Sequence, residues 1–484
     1  MELVDQDLLR SQAFIDGAWC DADDGRSFAV RDPATGASVF EVADLGPADA
    51  LRAIDAATAA QAGFAALLPA ERAGLLRRWH DLILANREDL AQICTAESGK
   101  PLAESRAEVG FAASFLDWFA AEAQRVYGDV IPPLVAGKRL VVVKRPVGVV
   151  AAITPWNFPL GMIARKAAPA LAVGCTVVAK PAEQTPLSAL ALAVLAERAG
   201  IPPGVFNVVP ALEGPPIGAV LCGDRRVRKL TFTGSTEVGR TLMRACADDL
   251  KRLSLELGGH APFIVFDDAD IDAAVEGAMV SKFRNTGQTC IGANRIFVQD
   301  AIYDQFAARF SERVRKLTVG AGSEADAEVG PLIDDAALAK VSEQVADAVA
   351  EGASVLTGGA VHARGGAFFA PTVLAEVTAG MKIAVEETFG PVAPLFRFTD
   401  EAEVVERANA TEYGLAAYVY SRDVGRCWRV GDALEFGMVG INDALPSTAV
   451  APFGGMKQSG FGREGSRYGV DDYLEIKLLS FGGI

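Results

Sequence analysis

Val147-Gly148-Val149-Val150-Ala151-Ala152-Ile153-Thr154 is an uncharged and almost wholly apolar run, and its reading decides the fold. Without polar alternation, such a run suits a strand buried on both faces, as in a parallel sheet covered by helices. The sequence then repeats the theme. A helical segment to about Val173 leads to Cys175-Thr176-Val177-Val178-Ala179, and a second helix, Pro186 to Ala199, leads to Val205-Phe206-Asn207-Val208-Val209. Lys229-Leu230-Thr231-Phe232-Thr233 follows, turning at Gly234-Ser235-Thr236 into a helix through Ala247. Strands alternating with helices predict right-handed crossovers on a parallel sheet, a Rossmann-like α/β unit.

Upstream, residues 12–43 read as short strands and turns, and Pro47 to about Trp118 as helices covering a sheet. The alternating, exposed Lys138-Arg139-Leu140-Val141-Val142-Val143-Lys144 reads as an arm. A second α/β region begins near Leu257 with Pro262-Phe263-Ile264-Val265-Phe266 as its first strand. Ile271, Val275, Met279 and Phe283 then mark one face of a helix that Gly287 should stop. Helices at 301–316 and 334–351 carry the region to about Ala451, and Tyr473 to Leu479 reads as one more strand.

A chain of 484 residues exceeds one ordinary core, so two or three domains are expected. Lys+Arg 46 against Asp+Glu 62 gives −16, the wrong field for nucleic acid or an anionic membrane, which leaves small molecules as partners. Seven scattered cysteines without a Cys-x-x-Cys pair fit a reducing cytoplasm, and three histidines without metal-ligand spacing argue for no metal. The acidic start, Met1 to Asp7, is unlike a secretory signal, and no apolar stretch has bilayer length.

Gly287-Gln288-Thr289-Cys290-Ile291-Gly292 places a thiol on a glycine-flanked loop among hydrogen-bonding residues, unlike the other six cysteines, which lie in apolar or helical surroundings. A nucleophilic thiol working on a carbonyl needs an oxyanion donor and a base. Asn157, in Thr154-Pro155-Trp156-Asn157-Phe158-Pro159, is an amide in a proline-bracketed turn at a strand's carboxyl end, and Glu256, ahead of Leu257-Gly258-Gly259, can activate water. The plainer reading of Glu256 is a salt bridge at a strand end. Gly234-Ser235 suits a pyrophosphate at a helix N-terminus, or simply caps that helix. Gly460-Phe461-Gly462-Arg463-Glu464-Gly465 spells a dinucleotide fingerprint, but no buried strand precedes it and no long helix follows, so it reads as a flexible loop.

Taken in order, Thr154 to Pro159, Phe232-Thr233-Gly234-Ser235-Thr236, Glu256-Leu257-Gly258-Gly259, Gly287-Gln288-Thr289-Cys290, Glu387-Thr388-Phe389-Gly390-Pro391 and Pro452-Phe453-Gly454-Gly455 resemble the NAD(P)-dependent aldehyde dehydrogenase superfamily over essentially the whole length. The resemblance implies a Rossmann-like cofactor domain (1–125 and 146–256), a catalytic domain (257–451) and a β-arm (126–145 and 470–484) building a homodimer or homotetramer. It implies attack by Cys290, an oxyanion held by Asn157 and the Cys290 N–H, a water activated by Glu256, and a proton relay through Lys166 and Glu464. Trp156, Gly234, Ser235, Glu387 and Phe389 would line the cofactor site, with Lys180 and Glu183 on the adenine ribose. A carboxylate at Glu183 accepts from ribose hydroxyls and repels a 2′-phosphate, which favours NAD over NADP.

Within that superfamily Lys282-Phe283-Arg284-Asn285 and the stretch Pro452 to Lys477 look most like succinate-semialdehyde dehydrogenases, whose carboxylate-gripping residues fall on Arg165, Arg284 and Ser447. Two arginines near the thiol would also depress its pKa; ordinary ion pairing is their plainer reading. Gly292 stands where many relatives carry a second cysteine, so a regulatory disulfide should be absent. Asp443, Pro446, Thr448 and His260 depart from close relatives, which leaves glutarate semialdehyde and 2-oxoglutarate semialdehyde as alternative substrates. A thiol esterase or CoA-acylating enzyme and a non-catalytic relative are the readings from other classes; Glu256 favours water as the acyl acceptor.

Overall fold

The apolar run forms the inner strand Val149–Ile153 of an eight-stranded sheet in the computed structural model, which describes residues 1–483. Val227–Thr233 and Thr176–Lys180 flank it, both parallel, and Arg252–Glu256 and Phe206–Val208 lie outside them, again parallel. Antiparallel strands finish the edges: Ala13–Ile15 with Ala18–Cys20 at one end, Gly460–Phe461 at the other. The chain steps outward from Val149–Ile153 through two strands and then returns to its other side. That reversal opens a crevice at the carboxyl ends of the 149–153 and 227–233 strands, where residues 154–158 and 234–235 sit.

The helix Pro159–Val173 starts directly from this crevice. Proline at its first turn needs no N–H partner there, and Gly174 in the left-handed conformation ends it. Every one of its residues is buried, including Arg165 and Lys166, because Leu102–Glu122 and neighbouring helices cover the face turned from the sheet.

A second, seven-stranded sheet runs Ser354–Thr357, Thr372–Ala375, Val392–Phe398, Ala293–Gln299, Ala261–Val265, Ala416–Tyr420 and Met438–Ile441, all parallel except the first pair. The helix Ile271–Phe283 packs on it through Val275, Met279 and Phe283. It stops at Phe283 rather than at Gly287. Asn285 and Thr286 adopt φ of 51° and 59°, a left-handed conformation that bulky residues hold only when their surroundings fix it.

Leu474–Gly482 pairs antiparallel with Lys138–Pro146 along its whole length, and Asp129–Ile131 lies on the far side. Val130, Ile131, Ile476, Leu478 and Phe481 on this ribbon are exposed. Ile484, the last residue of the expected arm, lies outside the described residues.

The reading of Gly460–Gly465 as a flexible loop is corrected here. Gly460–Phe461 extends the first sheet beside Arg252–Glu256, and Phe453 and Glu464 exchange backbone hydrogen bonds of 2.8 Å in each direction. Gly460 has φ +103°, and a Cβ there would collide with the Leu255 backbone, so the glycines serve close strand approach and not phosphate binding. Among the described residues no helix is long and apolar enough to cross a membrane.

Candidate active site

Cys290 occupies a tight turn closed by Gly292 N–H donating to the Thr289 carbonyl at 2.9 Å. Tyr418 holds the turn from the sheet side, its hydroxyl donating to Ile291 O at 2.6 Å. Gln288 braces the approach: its Oε1 accepts from Ile333 N–H at 2.9 Å. Gly259 explains the paired glycines after Glu256, since a Cβ there would collide with the Cys290 carbonyl. The thiol-bearing residue is half-buried, and all seven cysteines are free.

Two cavities meet at Cys290, sharing Phe158 and Met162 as further walls. One, of about 150 Å³, is lined by Arg165, Arg284, Ser447, Glu104 and Phe453. The other, of about 280 Å³, is lined by Trp156, Asn157, Gly234, Ser235, Glu387 and Phe389. The structure therefore gathers the three expected carboxylate-binding residues on one side of the thiol and five expected cofactor residues on the other. Lys180 and Glu183 stand apart from both, joined to each other at 3.2 Å beyond the end of the 176–180 strand. Glu256, Lys166 and Glu464 lie behind the walls, buried.

The larger cavity fits a nicotinamide nucleotide. Trp156 and Phe389 meet edge to face, 5.6 Å between ring centroids, and Phe389 holds φ +54° to do so. Glu387 Oε1 accepts the Gly259 N–H at 3.0 Å, which fixes the carboxylate at the cavity wall. Burial raises Glu387 to about 7 against that hydrogen bond. Ser235 is the N-cap of Thr236–Cys246, its oxygen accepting from Val238 N–H, so the capping reading and the cavity-lining position both hold. The bare turn at Gly234 and the helix N-terminus leave backbone donors for phosphate oxygens.

In the smaller cavity Arg165 has its guanidinium 3.6 Å from the Phe453 ring centroid and its Nε 2.6 Å from Glu464 Oε2, outside hydrogen-bond alignment. Its Nη2 is buried without a partner. Ion pairing and cavity lining thus coexist in this residue. Arg284 lies 5.5 Å from the Phe158 ring centroid.

Both arginines pull the thiol pKa down, as expected, but the net shift is upward. Burial pushes Cys290 up to about 12, and Glu387 and Glu256 add to it; Arg165 and Arg284 pull the other way without prevailing.

Glu256 makes no salt bridge of the plainer kind. Its carboxylate is buried with neither oxygen hydrogen-bonded among the described residues, and burial, reinforced by Glu464, holds it well above the usual carboxylate range. Burial alone would also raise Glu464, but Lys166, which donates at 2.5 Å, and Arg165 outweigh it and lower it. Burial in turn lowers Lys166 against the pull of Glu464. The two neighbouring carboxylates are thereby pushed apart, Glu256 upward by burial and Glu464 downward by its two cations.

Sequence reading missed four groups at this site. Lys100 Nζ donates to the Asn157 carbonyl at 2.7 Å, Glu108 accepts from Leu160 and Gly161, and Glu104 accepts the Asn285 N–H at 2.7 Å. Asn285 Nδ2 contacts the carbonyls of both Asn157 and Gln288 at 3.1 Å. Glu104 and Glu108 sit on the helix Leu102–Glu122, and Lys100 in the turn before it, between the left-handed Gly99 and Pro101; glycine and proline mark that turn, but nothing local shows that the three charges face inward.

A parallel-sheet cofactor crevice facing a cysteine turn across a second α/β sheet defines an aldehyde dehydrogenase architecture, and the chain belongs to the aldehyde dehydrogenase family, whose model matches residues 19–479. It is 59% identical over 484 residues to a glutarate-semialdehyde dehydrogenase of Pseudomonas aeruginosa, covering 100% of both chains. It is 57% identical over 482 residues to the succinate-semialdehyde dehydrogenase (NADP(+)) GabD of Escherichia coli, again covering 100% of both. The crystal structure of succinate-semialdehyde dehydrogenase from Burkholderia pseudomallei superposes with a TM-score of 0.99 at 59% identity, covering 100% of each chain.

Proposed function

We propose that this enzyme oxidises a small aldehyde bearing a distal carboxylate, succinate semialdehyde or its one-carbon-longer homologue glutarate semialdehyde, to the dicarboxylic acid with NAD. The observation that carries the reading is the shared cavity of Arg165, Arg284, Ser447 and Cys290. Guanidinium forks pair with a carboxylate in two parallel hydrogen bonds. Since a cavity of ~150 Å³ takes a benzene ring, this space suits a chain of roughly seven or eight heavy atoms, which both acids satisfy. The relatives named for the two substrates are similarly identical to the chain.

In this mechanism Cys290 Sγ attacks the aldehyde carbon, and the thiol proton leaves to solvent, which keeps Glu256 for the hydrolytic step. The oxyanion is held by the second amide hydrogen of Asn157, whose first is committed to the Gln288 carbonyl at 3.0 Å, and by the Cys290 N–H. When bound, NAD would supply the acceptor for the hydride leaving the former carbonyl carbon. Cys290 then carries a thioester. Glu256, turning from behind the cavity wall, takes a proton from water, which attacks the thioester and regenerates the thiol. Lys166 and Glu464 pass the proton onward. Trp156, Phe389 and Glu387 would hold the nicotinamide end, Gly234 and Ser235 the pyrophosphate, and Lys180 with Glu183 the adenine ribose, where the Glu183 carboxylate would favour NAD.

Residues 1–125 and 146–256 serve as the cofactor domain, 257–451 as the catalytic domain, and 126–145 with 470–484 as an arm for a homodimer or homotetramer. The test is steady-state kinetics over succinate, glutarate and uncharged aldehydes of matched length, each with NAD and NADP and without CoA. Equal kcat/KM for charged and uncharged aldehydes would remove the carboxylate assignment, and loss of none of the activity in Cys290→Ala would remove the thiol.

A further inference from the structure

Lys100 and Glu108 form an ion pair whose residues are 1% and 3% exposed, and among the described residues neither touches another charged partner at salt-bridge distance. Their contacts concentrate on one short stretch. Glu108 Oε1 accepts the N–H groups of Leu160 at 2.9 Å and Gly161 at 3.1 Å, in the first turn of the Pro159–Val173 helix, where no intrahelical carbonyl can serve them. Lys100 Nζ donates to the Asn157 carbonyl at 2.7 Å and lies 4.1 Å from the Phe158 ring centroid.

Burying two charges costs more than burying an apolar pair of the same volume, so stability alone is a poor account of this arrangement. Direction is what the pair supplies. Asn157, Phe158, Leu160 and Gly161 are each held by it, and Asn285 ties the same Asn157 carbonyl to the Gln288 carbonyl, two residues before the nucleophile. The Asn157 side-chain amide is consequently fixed from its own main chain and from the cysteine loop at once.

We propose that Lys100 and Glu108 are positioning residues for the oxyanion site, locking the Asn157–Gly161 corner so that the Asn157 amide faces the Cys290 sulfur. This rests on the reading of Asn157 as the oxyanion donor. A misplacement of about 1 Å at a reacting centre costs on the order of 100-fold in rate, and loss of one oxyanion donor costs roughly 100- to 1,000-fold.

A double-mutant cycle on the full-length enzyme tests it, with kcat, KM for NAD and Tm measured for Lys100→Met, Asn157→Ala and both together. The expected result is a kcat lowered about 10- to 100-fold by Lys100→Met, with KM for NAD changed less than about 2-fold, and a further loss below about 3-fold when Asn157 is already alanine. An equal fold-loss in both backgrounds, or no loss in the wild-type background, overturns the proposal. Asn157→Ala alone reads the underlying assignment separately: if kcat is unchanged, the oxyanion reading falls and the positioning role with it. Should Lys100→Met fail to fold, Glu108→Gln, which keeps an acceptor oxygen but removes the ion pair, carries the same cycle with the same criterion.

Discussion

Arg165 Nε lies 2.6 Å from Glu464 Oε2, so one cation touches both the cavity beside Cys290 and the buried carboxylate pair behind it. Arg284 has no such second attachment among the described residues and faces the cavity alone. The two arginines should accordingly fail in different ways.

Arg284→Ala is expected to raise KM for succinate or glutarate semialdehyde about 10- to 100-fold, the worth of a charge-assisted bidentate hydrogen bond, with little effect on uncharged aldehydes. Arg165→Ala should add a loss of kcat for every aldehyde, because Glu464 loses a cation that lowers it and Glu256 loses one that opposes its protonation. Steady-state kinetics on matched charged and uncharged substrates separates the two; identical profiles for both variants would contradict the double attachment.

The raised Cys290 thiol sets a pH test. With its pKa pushed up to about 12, the thiolate fraction is small at neutral pH and climbs with each unit of pH. Alkylation of the cofactor-free enzyme by iodoacetamide should therefore accelerate about tenfold per pH unit from 7 to 10 without levelling off. The Cys290→Ala variant corrects for the other thiols. A plateau near the pH of an ordinary cysteine would show that the arginines prevail over burial.

Glu183→Ser is expected to shift cofactor preference toward NADP. Removing the carboxylate deletes a repulsion on the order of 1 kcal/mol against a 2′-phosphate, roughly fivefold in affinity, and frees Lys180 Nζ from its 3.2 Å partner. The ratio of KM values for NAD and NADP measures it, and an unchanged ratio would move the discrimination elsewhere.

Gly292→Cys should create a redox switch by placing a second thiol two residues after Cys290. A Cβ at this position meets the Thr289 carbonyl at 3.1 Å, close enough to require a small adjustment of the turn. Hydrogen peroxide would then oxidise the two thiols to a disulfide, being itself reduced to water, and a dithiol would restore activity. The parent enzyme should show no such reversible inactivation assigned to Cys290 pairing, and mass spectrometry of the peptide containing residues 290 and 292 reports the bond directly.

Much of the fold was legible because burial leaves an uncharged signature. The runs 147–154, 175–179 and 205–209 must be strands shielded on both faces, and their spacing admits little but crossover helices. Helix ends were less legible: the periodicity of Ile271 to Phe283 pointed to Gly287, but the left-handed Asn285 and Thr286 end the helix earlier, held by Glu104, which is distant in sequence.

The sequence by itself determined most of the elements and the parallel sheet, and residue type and local pattern marked Cys290, Asn157 and Glu256 as candidates, whereas Arg165, Arg284 and Ser447 came only from the resemblance to the family. Only the tertiary structure decided their electrostatics and their supports. Whether Cys290 feels its arginines or its burial depends on the balance of desolvation and charge from every surrounding element, and burial wins. The loop containing Glu464 looked free because its partners, Leu255, Lys166 and Arg165, are about 200 to 300 residues away in the chain, and the Lys100–Glu108 brace on Asn157 was invisible for the same reason. Local pattern cannot encode a contact whose two halves meet only after the sheets have formed.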